Sequence, residues 1–516
     1  MRVTHRRRRR AATALILATA VALVAGCTAS EAEPQAGGNG PVIGAPDAPE
    51  PSTTLPKPPA PSDRKPVPLT TYAGRQSPGV IAAGGGDAPY NYAPSVLLDN
   101  GRYRMWWCSQ LGIANPPGDD ILLAESTSMD GPFAGPDGRG GTPVFSGSAT
   151  QFDAMHTCDP SVVKVGGTYY MYYTGAAGAH AHGNAVGLAT STDGRVWTRA
   201  NNGRPLLTAS RNVKRDNTYG VGQPSVVYLA GHFYLMFTDT TGQNAGRNGA
   251  GQFVLRSPDP AFTRDVEALG PAGFRPVPDT GARFRSVVDA FSADWMWVDA
   301  LAVFAIAHET RDGTTITFWD SGFRFQPYQP LLVPGPWREG PGLVRRPDGH
   351  AVVSLDNPCG RVAIDLVRAS REAPAGPSDL RHFGLDVVDF DACQEPARAV
   401  LALDGFAVPS PNRTIDLVVG GQLVRFDRRS VAEKLAVRVL ARRPAALDKV
   451  PVAAHVTAGA PARQAPGRGT AFLLDDRLWL VGSPEIATLN SSAAPAITPE
   501  EWDGYERGLD LVGPPR

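Results

Sequence analysis

The sequence predicts an all-β fold, and three observations carry that prediction. A hairpin recurs in one register: Pro94-Ser95-Val96, Pro160-Ser161-Val162 and Pro224-Ser225-Val226 each precede an aromatic run by nine positions (Tyr103–Trp107, Tyr169–Tyr173 and Phe233–Phe237). A glycine stands just ahead of each run (Gly101, Gly167, Gly231), where a tight turn needs a residue free to adopt positive φ. Helix-period segments are scarce until late in the chain, whereas Gly (56) and Pro (48) abound. The copies start 66 and 64 residues apart, at Pro94, Pro160 and Pro224. A fixed long period of short aromatic strands fits the blades of a β-propeller rather than a helical solenoid.

Taken in order, the chain opens with a targeting segment. Arg6–Arg10 make a basic region and Ala11–Ala25 an apolar run of roughly 15 residues, short for a final membrane span. Val24-Ala25-Gly26-Cys27 resembles a bacterial lipobox, so residues 1–27 are expected to be a lipoprotein signal peptide with Cys27 lipidated. The arginines suit either general or twin-arginine export. Residues 28–69 are rich in Pro, Gly, Ala and Ser and almost free of aromatics, which makes them a flexible tether. An exported chain, anchored to the outer face of the bacterial membrane through its lipid alone, is the expectation.

Each clear repeat continues into a third strand, at Ile121–Ser126, Val186–Ser191 and Phe253–Ser257, and then into an edge strand near Phe133 and Trp197. Two weaker copies follow. Ala293–Trp297 leads to Ala302–Ile306 and Thr315–Trp319, and Pro341–Val344 leads to His350–Val353 and Val362–Leu366. Five blades therefore fit in residues 70–400, with six the rival count. Residues 401–516 read as a small mixed extension, with a hairpin at Gly420-Gly421, a second at Asp475-Asp476, and helix starts at Ser430 with Glu433 and at Thr498 with Glu501.

Four cysteines remain after Cys27. Cys108 ends the second strand of its repeat and Cys158 just precedes the first strand of the next, which puts both on one face if strands alternate up and down. Cys108–Cys158 and Cys359–Cys393 are the expected disulfides in an exported protein. Lys+Arg and Asp+Glu are equal at 50 each, so the charge points to no nucleic-acid partner. No phosphate loop, nucleophile elbow or metalloprotease motif is present, and zinc-type CxxC spacing is absent.

The stretch from Asp159-Pro160-Ser161 through Tyr173, with Gly187–Gly194, resembles a blade of the family 43 glycoside hydrolases and their relatives in families 32, 62 and 130. Glu339-Gly340-Pro341 resembles the family 43 segment that holds the general acid. The resemblance implies a monomeric five-bladed propeller that cleaves an oligo- or polysaccharide, with arabinose- or xylose-bearing glycans the first candidates. It also implies acids just before the innermost strands, converging on a central funnel. The matching positions are Ala93, Asp159 and Gln223, so the first blade lacks its acid. Asp159 and Glu339 are then the catalytic candidates, since blades two and five are two steps apart in a ring of five. His156, Gln223, Asp289, Asp294, Asp87, Asn91 and Trp107 are the candidate substrate contacts. No cofactor is implied, although the channel has room for a structural cation. The missing acid at Ala93 supports an alternative, a propeller that binds carbohydrate without cleaving it.

Overall fold

The computed structural model describes residues 65–83, 88–110, 118–178, 183–210, 219–242, 244 and 251–512. The leader with Cys27, most of the tether, and Asp87 lie outside the described residues. Among those described, no helix is long and apolar enough to cross a membrane.

Strands dominate and form five antiparallel meanders. The first runs Asn91–Asp99, Arg102–Ser109, Asp120–Ser126 and Thr142–Phe145. The second runs His156–Val165, Thr168–Ala176, Ala185–Ser191 and Thr198–Arg199. The third runs Val221–Leu229, His232–Asp239, Gln252–Ser257, Glu267–Gly270 and Gly273–Pro276. The fourth runs Ala293–Val298, Val303–Thr310, Gly313–Asp320 and Leu331–Pro334. The fifth takes Gly342–Arg345, Arg361–Ala373 and Gly376–Val388, and its outer strand is the N-terminal Thr70–Gln76, paired from Thr70 with Val388 to Gln76 with Phe383. Arg75 fastens that strand through Asp365 (2.9 Å) and Asp386 (2.7 Å).

The innermost strands meet in a cycle, each beside the next and the fifth beside the first. Val344 and Arg345 pair in parallel with Val96 and Leu97, which joins the fifth and first meanders in one sheet. The repeated serine makes the other links. Ser95 Oγ accepts from Val162 N (3.0 Å), Ser161 Oγ from Val226 N (3.0 Å), and Ser225 Oγ from Trp295 N (3.2 Å). Asp294 takes the serine's place in the fourth meander and accepts from Leu343 N (2.7 Å). Arg345 closes the circle by donating to Ser95 Oγ (3.3 Å).

The prolines sit at bulges, which is how a central strand tolerates a residue with no N–H. Pairing slips between Tyr92 and Ser95, Cys158 and Ser161, and Gly222 and Ser225. Ala93, Asp159 and Gln223, each just before its proline, all have φ of 48°, and Gly340 before Pro341 has φ of 57°. A left-handed residue ahead of proline is disfavoured, so four copies of it mark a conformation the fold imposes. Aromatics fill the space between meanders, as in the stack of Trp295, Phe304 and Phe323.

One expected strand is displaced. His350–Val353 forms only isolated bridges, and the second strand of the fifth meander is Arg361–Ala373. The cause is His350, whose Nδ1 meets both Asp299 carboxylate oxygens (3.0 Å each) while Nε2 meets Tyr228 O (2.9 Å). The segment is thereby held across the far end of the third and fourth meanders. Both expected disulfides are present, Cys108–Cys158 and Cys359–Cys393, with Cα separations of 4.9 and 5.3 Å.

The C-terminal extension contains one topology twice. Phe406–Pro409, Ile415–Val419 and Gln422–Phe426 form a meander, followed by helix Arg429–Leu435 and parallel strands Arg438–Val439 and Val452–Val456 at the two edges. Ala462–Ala465, Gly469–Leu474 and Arg477–Leu480 repeat it, followed by helix Pro484–Leu489, a parallel bridge at Ala496, and parallel strand Glu506–Asp510. The copies share one core, with Phe426, Val431 and Leu435 packed among Phe472, Trp479 and Ile486. Thr498 caps its helix by accepting from Glu501 N (3.1 Å), whereas Ser430 lies inside a helix whose N-cap is Arg428.

Arg345 is fully buried, and it bonds Val226 O (3.1 Å) and Trp295 O (3.0 Å) with its charge balanced by Asp294 at 3.3 Å. Asp294→Ala leaves that guanidinium without its counter-ion and Leu343 N without an acceptor. A loss of about 3–5 kcal/mol in urea unfolding is the expected outcome. A loss below about 1 kcal/mol, the scale of a surface ion pair, would show that the axis does not depend on this pair.

Candidate active site

The innermost strands run in the same direction, so their N-terminal ends gather on one face. The left-handed conformation before each proline turns that residue to the axis. Ala93, Asp159, Gln223 and Gly340 accordingly line a small axial cavity (≈ 30 Å³), with Asp294 and Arg345 beside them. Glu339, one residue before Gly340, reaches the same place: Gln223 Nε2 donates to Glu339 Oε1 at 3.1 Å. The backbone N–H of Gln223 donates to Thr174 Oγ1 at 2.8 Å. Gln223 Oε1 is buried and has no partner.

Burial governs the electrostatics here. It pushes the Asp159 carboxyl up to about 7, assisted by the charge of Asp119, while the Thr174 hydroxyl and the Gln223 N–H pull the other way. Burial pushes Glu339 up to about 8, assisted by Asp159, Glu372 and Asp119 and opposed by the Gln223 carboxamide. Tyr92 and Tyr219 feel both acids, and each phenol is raised well above its ordinary range, first by burial. Two carboxyls that keep their protons near neutrality suit proton donation.

The structure brings together Asp159, Glu339, Gln223 and His156, the last through Asp119, whose Oδ2 lies 2.8 Å from His156 Nδ1. Asp294 lines the cavity, but its oxygens are taken by Ser225, Leu343 N and Arg345, so it holds strands together. Asn91 Oδ1 accepts from Trp107 Nε1 at 2.8 Å. Trp107 is no stacking platform: it is fully buried in the core shared by the first and fifth meanders. Asp289 is exposed and has no part in the charge interactions of Asp159 or Glu339. Arg345 brings a fixed positive charge to the axial cavity where the sequence left room for a cation.

Sequence reasoning missed Asp119, Tyr90 and Tyr92. Asp119 immediately precedes the third strand of the first meander, and Tyr90 Oη donates to its Oδ1. A signal was available, since the up-and-down argument that pairs Cys108 with Cys158 also brings the start of a third strand to this face.

No family model matches the chain, and no curated protein matches it. Among solved structures it is similar to Zg3597, a family 117 glycoside hydrolase of the marine bacterium Zobellia galactanivorans, at 13% identity over 62% of this chain and 92% of that one (TM-score 0.44). It is also similar to the alpha-L-arabinofuranosidase PaAbf62A of Podospora anserina, at 10% identity over 63% and 99% (TM-score 0.38). A third is the Bombyx mori family 32 beta-fructofuranosidase BmSUC1, at 11% identity over 70% and 66% (TM-score 0.38). Families 62 and 32 are among those the sequence resembles.

Glu339 carries its proton to higher pH folded than unfolded, so its contribution to stability is present below the ordinary carboxylate range. That contribution is lost as pH rises from about 4.5 to about 8. Glu339→Gln has no proton to lose. Its melting temperature is expected to exceed the parent's at pH 9 and to match it near pH 5. An equal difference at both pH values, measured by circular dichroism, would show that Glu339 ionises as readily folded as unfolded.

Proposed function

We propose that the protein is a glycoside hydrolase built as a five-bladed β-propeller, acting on a plant or cell-wall glycan. Polymers bearing arabinose or xylose are the first substrates to try. Five meanders whose innermost strands touch in a cycle support the blade count. One observation carries the activity: Asp159, buried, and Glu339, half-buried, from the second and fifth meanders, come to one end of the axis with Gln223 bonded to Glu339.

In this reading Glu339 keeps its proton at neutral pH and gives it to the leaving glycosidic oxygen. Asp159 beside it holds that proton on, because two neighbouring carboxylates repel. The unpartnered Gln223 Oε1 is an acceptor for a sugar hydroxyl, and Tyr92 and Tyr219 flank the acids. The lipobox at Cys27 and the tether support attachment outside the membrane, where polymeric glycan is met.

Assay of the full chain against a panel of arabinosides, xylosides, mannosides and fructosides tests the proposal. The parent is expected to release sugar, and Asp159→Asn and Glu339→Gln should each lower kcat by about 10²–10⁴-fold with melting behaviour retained. A parent that binds oligosaccharide without cleaving it would replace this reading with the binding propeller that Ala93 suggests.

A further inference from the structure

Hydrolysis with Glu339 as proton donor requires a second group that takes a proton from the attacking water. The first meander offers only Ala93 at the position before its proline. Asp159 sits beside Glu339 and is itself buried with its proton held up. We propose that Asp119, at the head of the strand Asp120–Ser126, is the base that activates water; this rests on the hydrolase reading above.

The placement is the first argument. A carboxylate oxygen of Asp119 lies within 4.8 Å of Cys158 Sγ, and Asp159 Oδ1 lies 3.4 Å from the same sulfur. Asp119 is thereby held on the same face as Asp159, against the Cys108–Cys158 bridge. Glu339, Asp159 and Tyr92 all feel the charge of Asp119.

The second argument is how firmly Asp119 is held. Its backbone oxygen accepts from Thr157 N (3.0 Å) and Thr157 Oγ1 (3.1 Å). A Cβ on Gly118 would fall 1.8 Å from Met155 O, so only glycine lets the chain pass here. Tyr90 and His156 occupy one site on each carboxylate oxygen, and a carboxylate has about four such sites, which leaves room for a water. The side chain is 14% exposed, enough for water to reach it. Independently, the buried, unpartnered Gln223 Oε1 at the axial cavity points to a ligand that brings a donor.

The step balances as follows. Water loses a proton to Asp119 as its oxygen bonds the anomeric carbon. The glycosidic C–O bond breaks, and the leaving oxygen takes the proton of Glu339. Asp119 then returns its proton to solvent while Glu339 takes one up, and the product has the inverted anomeric configuration.

The test uses the full chain with Asp119→Asn, the best natural substrate of the panel, and the dinitrophenyl glycoside of the same sugar. Asp119→Asn should melt like the parent and lose about 10²–10⁴-fold in kcat on both substrates. Added azide, which attacks without a base, should restore turnover and yield a glycosyl azide of inverted configuration. Glu339→Gln should instead recover on the dinitrophenyl glycoside, whose leaving group needs no proton. An Asp119→Asn chain with parental rates, or a slow one that azide leaves slow, overturns the assignment. So does product of retained configuration. A parent that cleaves no member of the panel overturns the hydrolase reading, and this assignment with it.

Discussion

The array of meanders depends on a buried cation at its centre. Arg345 reaches two carbonyls and one serine on neighbouring innermost strands, and Asp294 balances its charge. A guanidinium suits this place because it presents several donors in a rigid plane and does not lose its proton. Hydrophobic packing between sheets is tolerant of small sliding, whereas a directional bond from each strand to the next is not. The serine links at Ser95, Ser161 and Ser225 therefore set the height of each strand on the axis, and the arginine completes the circle.

That registration has a chemical consequence. With the strands level, the residue before each proline arrives at one end of the axis, in the left-handed conformation that turns it inward. Two of those positions hold Asp159 and Gln223, and Glu339 is carried there beside Gly340. Burying acids in this way opposes their ionisation and thus costs stability as pH rises, which is the same property that keeps a proton available for transfer. The Cys108–Cys158 bridge lies against this face and ties the first meander to the second, next to both Asp159 and Asp119.

Much of this was legible in the chain. The nine-residue offset from each proline to its aromatic run is a property of one hairpin, so it could be read locally, and it led to the repeats, to both disulfides and to Asp159. Asp294 and Trp107 were misread because residue type does not reveal what a side chain faces. An aspartate at a strand head and a tryptophan in a strand are equally consistent with a sugar contact and with the internal roles they have here. Asp119 was passed over because it lies between strands and matches no repeated motif.

The sequence by itself determined the strands, the turns and the period of the repeat, because these follow from side-chain alternation and from glycine and proline at set positions. Only the tertiary structure decided which carboxyls meet. Glu339 and Asp159 are 180 residues apart and come from meanders that are not neighbours. Their raised proton affinities arise first from burial, and then from the charge of Asp119 on Asp159 and of Asp159 on Glu339, and none of these exists until the circle of strands closes.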